Sequence, residues 1–496
     1  MPLADLCIFP VKCLRAGGGR LNRAPSPSHG SVRRLPALQR LAPALTPLEH
    51  IRTFQKSVPG LDASIDMARR RAATIAGAVA LGLVAIVFAR MGDLAQKVFT
   101  EFQAQHRYAP LILTPLVFAA TVAVTLRWAP AAKGSGIPQV MAAGHDIQLA
   151  SSRLLALPTA IAKLLLTTFM LLAGGSVGRE GPTVQVAAAI MVTCHRILRV
   201  PISAGVLIAG GAAGVAAAFN TPLAGVVFAI EELAAAFEQK VAVLVMGAVV
   251  ISGLVSLAVA GDYVYFGAMR QTLDVRSVLM VTPVAGIAGG ILGGLFARMM
   301  LAFARSAHPA FLAVRARPVT LAFACGLVVA VVGIVTHGST WGTGYETTRH
   351  MIEGQDDTSL WFGPAKFLAT AATAVSGAPG GIFAPSLSVG AGFGQLLALC
   401  FPDDPMPAVI LLGMVGYFVG VVRAPLTAVI ILMETTASRG MIVPLFLTAI
   451  IADAASTLVC KEKLYHGLSR GFARAAAHPT SGPTSEPNPE PEPARS

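Results

Sequence analysis

The sequence predicts an all-α, multi-pass membrane protein built from a duplicated unit of broken helices. Three observations carry that prediction. Apolar windows free of charge recur along the chain, glycine and proline fall inside those windows as well as between them, and residues of the first half return in the second at one fixed spacing.

The windows are Ala72–Ala89, Ala109–Leu126, Val200–Ile230, Val241–Gly261, Ser277–Ala297, Pro318–Tyr345 and Phe367–Pro402. About 20 helical residues cross a ~30 Å hydrocarbon layer, so several windows span it and the two longest have room for two helices each. With 54% hydrophobic and 13% charged residues and a mean hydropathy of +0.68, an ordinary soluble protein is excluded. The 49 Gly and 33 Pro are many for simple spanning helices. Broken backbone at membrane depth persists only where it is buried in protein or lines a cavity, which points to a transporter or channel. The 6% aromatic content argues against an outer-membrane barrel, whose girdles need aromatic side chains.

Charge sets the organisation of the ends. Residues 1–66 are rich in Pro, Arg, Ser and Gly and are expected to form a basic, disordered cytoplasmic tail. Residues 67–262 and 263–476 are expected to form a first and a second transmembrane repeat, and 477–496 a polar, disordered tail. Residues 1–71 hold ten Arg and two Lys against three Asp and one Glu, so most of the net +13 lies at one end. Arg69, Arg70 and Arg71, directly before the first window, place the N-terminus in the cytoplasm. Lys461, Lys463, Arg470 and Arg474 place the C-terminus there too. The basic tail has no folded module or interleaved aromatics, so no nucleic-acid partner is expected. The cysteines at 7, 13, 194, 325, 400 and 460 show no paired spacing, so no disulfide framework or metal site is expected. The last four are expected to be small buried apolar side chains.

Within the run Leu164–Met191, the segment Gly178-Arg179-Glu180-Gly181-Pro182 places two charges in otherwise apolar surroundings. Ionisable groups at membrane depth are costly and usually face a polar pathway. Gly174, Gly175 and Gly178 loosen the backbone ahead of it, and Pro182 suits a first helical turn. A helix starting here directs unpaired N–H groups and a positive dipole end at whatever precedes it, which favours an anion. The alternative is structural: Glu180 resting on the dipole and Arg179 pairing with a carboxylate or an interfacial phosphate.

The repeat is gap-free over about 70 residues. Lys163 falls on Lys366, Gly174 on Gly377, Gly178 on Gly381, Pro182 on Pro385, Pro222 on Pro425, Leu223 on Leu426 and Glu231 on Glu434, each pair 203 apart. Interrupted hydrophobic segments at corresponding places in two repeats point to a binding site between them. Phe383 stands where Glu180 stands in the first copy, so the carboxylate is unique to one half.

Gly134-Ser135-Gly136-Ile137-Pro138, Gly178-Arg179-Glu180-Gly181-Pro182 and Gly380-Gly381-Ile382-Phe383-Ala384-Pro385, in that order and followed by Tyr465, resemble the signature motifs of the CLC chloride channel and transporter family. The likeness covers roughly residues 68–476. It implies two repeats of inverted topology with tilted helices meeting N-terminus first, and a homodimer with one pore per subunit. It further implies that the hydroxyls of Ser135 and Tyr465 and the backbone N–H groups of Ile382 and Phe383 form the anion site. Glu180 resembles the external gating and proton-accepting glutamate, and Glu232 the internal proton-transfer glutamate found in exchangers. The other reading of Glu231 and Glu232 is a solvated helix end. Neighbours on a helix point about 100° apart, so the two cannot do the same job, and Glu231, duplicated at Glu434, is the better structural candidate.

The resemblance further implies, through the serine at 135, chloride over nitrate. No cytoplasmic nucleotide-binding pair of domains follows Arg474, so no nucleotide and no cofactor is expected. The function expected from the resemblance is electrogenic chloride/proton antiport across a bacterial inner membrane, with a passive, voltage-sensitive, proton-gated chloride channel as the alternative. An enzyme is not expected, because the ten histidines form no HExxH or paired cluster and no GxSxG occurs.

Overall fold

Every apolar window becomes helix, and the two longest each contain two, separated by a break. The computed structural model describes residues 61–145, 147, 153–233, 239–261, 264–355 and 358–477. Of the disordered tails expected at 1–66 and 477–496, residues 1–60 and 478–496 lie outside the described residues, whereas 61–66 and 477 are helical. In chain order the helices are α1 Leu61–Gln105, α2 Pro110–Trp128, α3 Ile137–His145, α4 Leu157–Leu172, α5 Glu180–Ile197, α6 Ala204–Phe219, α7 Pro222–Phe228, α8 Gln239–Ala260 and α9 Val275–Arg305. They continue with α10 Pro309–Arg315, α11 Pro318–Val335, α12 Tyr345–Ile352, α13 Phe362–Val375, α14 Phe383–Ala398, α15 Met406–Val422, α16 Pro425–Thr436, α17 Ile442–Val459 and α18 Leu464–Ala477.

Among the described residues, six helices are long and apolar enough to cross a membrane by length and composition. α1, at 45 residues, is roughly twice the length a bilayer requires. It begins at Leu61, ahead of the expected repeat boundary at 67 and of the apolar window that opens at Ala72, because Ala, Met and Arg in 63–72 are good helix formers that carry the helix beyond its apolar part. Ile112, Val243, Leu279, Val335 and Ile450 are exposed, the surface expected of helices that face lipid.

The interior holds shorter helices that are apolar all round. Residues 407–422 of α15 are buried throughout, as is α6 from Gly205 to Phe219 except for the half-buried Ile208. α14 and α9 pack on α15, and α5 and α8 pack on α6.

The duplication is visible in three dimensions and extends further than the 203-residue spacing. α6 and α15 both end on a non-glycine residue in the left-handed region, Asn220 (φ 57°) and Arg423 (φ 61°). Towards the start of each half the spacing becomes 208: α2 begins at Pro110 and α11 at Pro318. Gly134-Ser135-Gly136 corresponds to Gly342-Thr343-Gly344, with all four glycines at positive φ. Between the start of α3 and Lys163 the first half therefore has five more residues than the second has between the start of α12 and Lys366, which hid this part of the repeat from a fixed-offset comparison.

Each half is broken at the same place. α4 ends before Gly174 (φ 73°) and α13 before Gly377 (φ 76°), and the chain then runs without helix to α5 and α14. Gly178 and Gly381 pair across these breaks in an antiparallel bridge, with N–H···O distances of 2.7 and 2.8 Å.

Candidate functional site: two helix starts joined at their breaks

The Gly178–Gly381 bridge brings the N-termini of α5 and α14 together. Arg179 and Ile382 occupy the cap positions, and neither supplies a capping hydrogen bond from its side chain. The first N–H groups of each helix have no intrahelical acceptor and carry the positive end of the dipole. Three buried oxygens gather around them.

The first is the Ser135 hydroxyl, in the turn ahead of α3. Its loop is fixed from two sides. The fully buried Lys163 ammonium donates to the carbonyls of Ala132, at 2.8 Å, and Gly134. The Gly380 N–H donates to the same Gly134 carbonyl at 3.1 Å. Glycine at 181 is required for this approach, since a Cβ there would stand 2.4 Å from Ser135 Oγ.

The second is the Tyr465 hydroxyl, on the first turn of α18, which packs on α3. Its ring stacks on Phe383, centroids 6.1 Å apart and planes 10° from parallel. The Ser135 and Tyr465 hydroxyls are close enough to interact, yet neither makes a hydrogen bond of ordinary geometry to the protein. Buried hydroxyls normally have a partner, so a pair without one beside two helix N-termini is chemistry suited to an anion.

The third oxygen belongs to Glu180. Its side chain is buried, and Oε1 accepts from Tyr265 Oη at 3.3 Å. Oε2 lies over Gly178, where a Cβ would come within 2.2 Å of it, and the carboxylate faces the Ala384 N–H of α14. The carboxylate of one repeat thus rests against the helix start of the other. Ile382 and Phe383 begin that helix, and the Phe383 ring packs against Phe219, Phe228 and Phe418.

Outside Glu180 a cavity of about 770 Å³ is lined by Arg90, Asp93, Lys97, Arg179, Tyr265 and Glu346 among others. Arg179 Nη1 donates to Asp93 Oδ1 and to the Ala89 carbonyl, both at 2.6 Å. Its guanidinium lies 5.9 Å from the Tyr265 ring centre. Pairing with a carboxylate, the structural reading of Arg179, is therefore observed.

Glu231 and Glu232 part company as neighbours on one turn must. Both lie on the π-helical turn Ala229–Leu233 that extends α7. Glu231 accepts hydrogen bonds from the N–H groups of Leu426 and Thr427, at 3.1 and 2.7 Å, and so caps α16. Glu232 has a fully buried side chain, with Lys463 Nζ 3.7 Å and His466 Nδ1 3.5 Å from its carboxylate oxygens. It is not a solvated helix end.

Ser135, Glu180, Ile382, Phe383 and Tyr465 come together at the joined breaks, and Glu232 stands apart on α7. Sequence reasoning missed Tyr265, Asp93 and His466. Tyr265 belongs to no motif and reaches Glu180 from the connection between α8 and α9, whereas His466 adjoins Tyr465 and offered a signal by position. Of the four cysteines expected to be buried, Cys325 and Cys460 are, Cys194 is half-buried and Cys400 is exposed just beyond the end of α14. Cys7 and Cys13 lie outside the described residues.

The fold and this arrangement have known counterparts. The chain is 28% identical over 424 residues to the H(+)/Cl(-) exchange transporter ClcA of Yersinia pseudotuberculosis serotype IB (strain PB1/+), covering 79% of this chain and 85% of that one. Its fold is similar to that of a slow cyanobacterial Cl-/H+ antiporter, with a TM-score of 0.69 at 22% identity over 83% of this chain and 99% of the other. A CLC-type fluoride/proton antiporter gives a TM-score of 0.67 at 21% identity, over 79% and 96% of the two chains. Residues 116–457, well over half of the chain, match the family model described as voltage gated chloride channel, and the protein belongs to that family.

Proposed function

We propose that the protein exchanges chloride for protons across the inner membrane. The observation that carries this reading is the Glu180 carboxylate resting against the N-terminus of α14, beside the Ser135 and Tyr465 hydroxyls, neither of which makes a hydrogen bond of ordinary geometry to the protein. An ionised carboxylate is itself an anion and competes with chloride for the same helix dipoles. Protonation removes that competition, so uptake of a proton and entry of an anion become linked. Ser135, Tyr465 and the N–H groups of Ile382 and Phe383 hold chloride without a full cation, which allows it to bind and still leave. Glu232, buried away from the anion route, supplies the internal end of the proton path.

The working unit in this reading is a homodimer in the lipid bilayer, with a complete pore in each subunit and both termini in the cytoplasm. Moving an anion and a proton in opposite directions is electrogenic, worth ~2.3 kcal/mol per elementary charge per 100 mV. The chemistry is transport, with no covalent step. The alternative is a passive channel gated by Glu180 alone.

The test uses purified protein in chloride-loaded liposomes, with an outward chloride gradient, clamped voltage and external pH recorded. Uphill proton uptake driven by chloride efflux is expected. Chloride efflux without it would establish the channel. Glu180→Gln and Glu232→Gln are each expected to abolish proton uptake while chloride still moves.

A further inference from the structure

We propose that His466 is a proton-relay residue between the cytoplasmic water and Glu232. The inference rests on the exchange reading and on the cytoplasmic placement of α18, whose surroundings carry Lys461, Lys463, Arg470 and Arg474. Glu232 is sealed: its side chain has no exposure, and neither carboxylate oxygen makes a hydrogen bond of ordinary geometry. A proton reaching it from water needs an intermediary.

Two cationic or potentially cationic groups face it. Lys463 Nζ stands 3.7 Å from Oε2 and His466 Nδ1 3.5 Å from Oε1. An ammonium keeps its proton through the physiological range, so a lysine holds charge beside a carboxylate without shuttling protons. An imidazole both takes and gives protons near neutrality, through two distinct ring nitrogens. The His466 side chain is 47% exposed while Glu232 is fully enclosed, so one residue touches both the solvent and the sealed carboxylate.

The acidic neighbour on the same turn is already engaged. Glu462 is bound by Arg305 and Arg470. Residues 137–144 of α3, which packs on α18, include no ionisable side chain. Tyr465 lies on the anion side, one residue before His466. The His466 backbone is tied into the first turns of α18, where its carbonyl accepts from Ser469 Oγ at 2.9 Å.

In the inward-to-outward step the imidazolium gives its Nδ1 proton to the Glu232 carboxylate, leaving a neutral ring and a carboxylic acid. The ring then regains a proton from cytoplasmic hydronium, releasing water. Transport in the other direction reverses both transfers.

The test compares wild type, His466→Gln and His466→Ala in the liposome assay across a series of pH values, the last with and without added imidazole. His466→Gln is expected to slow proton uptake by about a hundredfold, the low side of what a positioned acid–base group contributes, while chloride efflux continues and the proton-to-chloride ratio falls. Imidazole is expected to restore proton uptake to His466→Ala, which a structural role would not allow. Wild-type proton uptake, ratio and pH profile in His466→Gln would overturn the relay and leave the exchanger intact. So would loss of uptake in His466→Ala that imidazole does not restore. A wild type that moves no protons would overturn the exchange reading and the relay with it.

Discussion

Glu231 and Glu434 cap each other's helices across the two repeats. Glu231 accepts from the N–H groups of Leu426 and Thr427 at the start of α16, and Glu434 from those of Leu223 and Ala224, at 3.3 and 2.9 Å, at the start of α7. A carboxylate at a helix N-terminus satisfies orphan donors and opposes the dipole. Replacing either by Ala is expected to cost about 1 kcal/mol, the usual worth of an N-cap. Thermal unfolding in detergent checks this. Glu231→Ala should leave the proton-to-chloride ratio at its wild-type value, in contrast to Glu232→Gln.

Tyr265 holds the Glu180 carboxylate in the position that, in the proposed exchange, closes the anion pathway. Its hydroxyl donates to Oε1, and its ring is fixed by edge-to-face contacts with Phe266 and Tyr345 at 5.0 and 4.8 Å. Tyr265→Phe keeps the ring and deletes the donor. A hydrogen bond to a carboxylate is worth about 1.5 kcal/mol or somewhat more, so chloride turnover should rise by up to about tenfold. Initial rates of chloride efflux measure it, and an unchanged rate would mean that the carboxylate is positioned by α14 alone.

The residues that were legible in the sequence are those with a local chemical reason to stand out. Charge in an apolar run marked Glu180, and glycine before proline marked the helix starts at 180 and 383. Fixed-spacing matches marked Lys163, Lys366, Glu231 and Glu434, but their partners lie 24 to 211 residues away in sequence and could not be inferred. The counterpart of Ser135, Thr343, was hidden by five extra residues between Ser135 and Lys163. Tyr265 left no trace because its role depends on how a connection folds back over a site 85 residues earlier.

The paired lysines separate a loop's stability from its function. Lys163 ties down the Gly134–Gly136 turn, and Lys366 donates to the carbonyls of Thr340 and Gly342, at 2.9 and 2.8 Å, beneath the matching Gly342–Gly344 turn. Methionine at 366 removes the lysine donor from the Thr340 and Gly342 carbonyls, and methionine at 163 removes it from Ala132 while leaving Gly134 with the Gly380 N–H alone, each orphaned carbonyl costing about 1–3 kcal/mol, so both variants should unfold at lower temperature. Only Lys163→Met loosens the turn that carries Ser135. Chloride titration calorimetry should therefore show weakened binding, by about tenfold, in Lys163→Met and wild-type binding in Lys366→Met.

The attachment of α18 is sensitive to acid. Glu462, in the turn before α18, is gripped by Arg305 at the end of α9, with Nη2 donating at 3.0 Å, and by Arg470 at 2.9 Å. Arg305 also donates to the Gly467 carbonyl, so the clamp orients the helix that bears Tyr465 and His466. The Arg305 hydrogen bonds hold the Glu462 carboxyl below its ordinary value of 4.5. A carboxyl with a depressed folded-state pKa contributes stability above its unfolded value and loses it as pH falls through the folded one. The group is partly exposed, so solvent screening keeps the contribution modest. Glu462→Gln should thus lower the melting temperature slightly at pH 7, with the two melting curves converging as the buffer is made more acid. A difference that persists undiminished in strong acid would show that the glutamine disturbs packing and that the carboxylate charge is not what fixes α18.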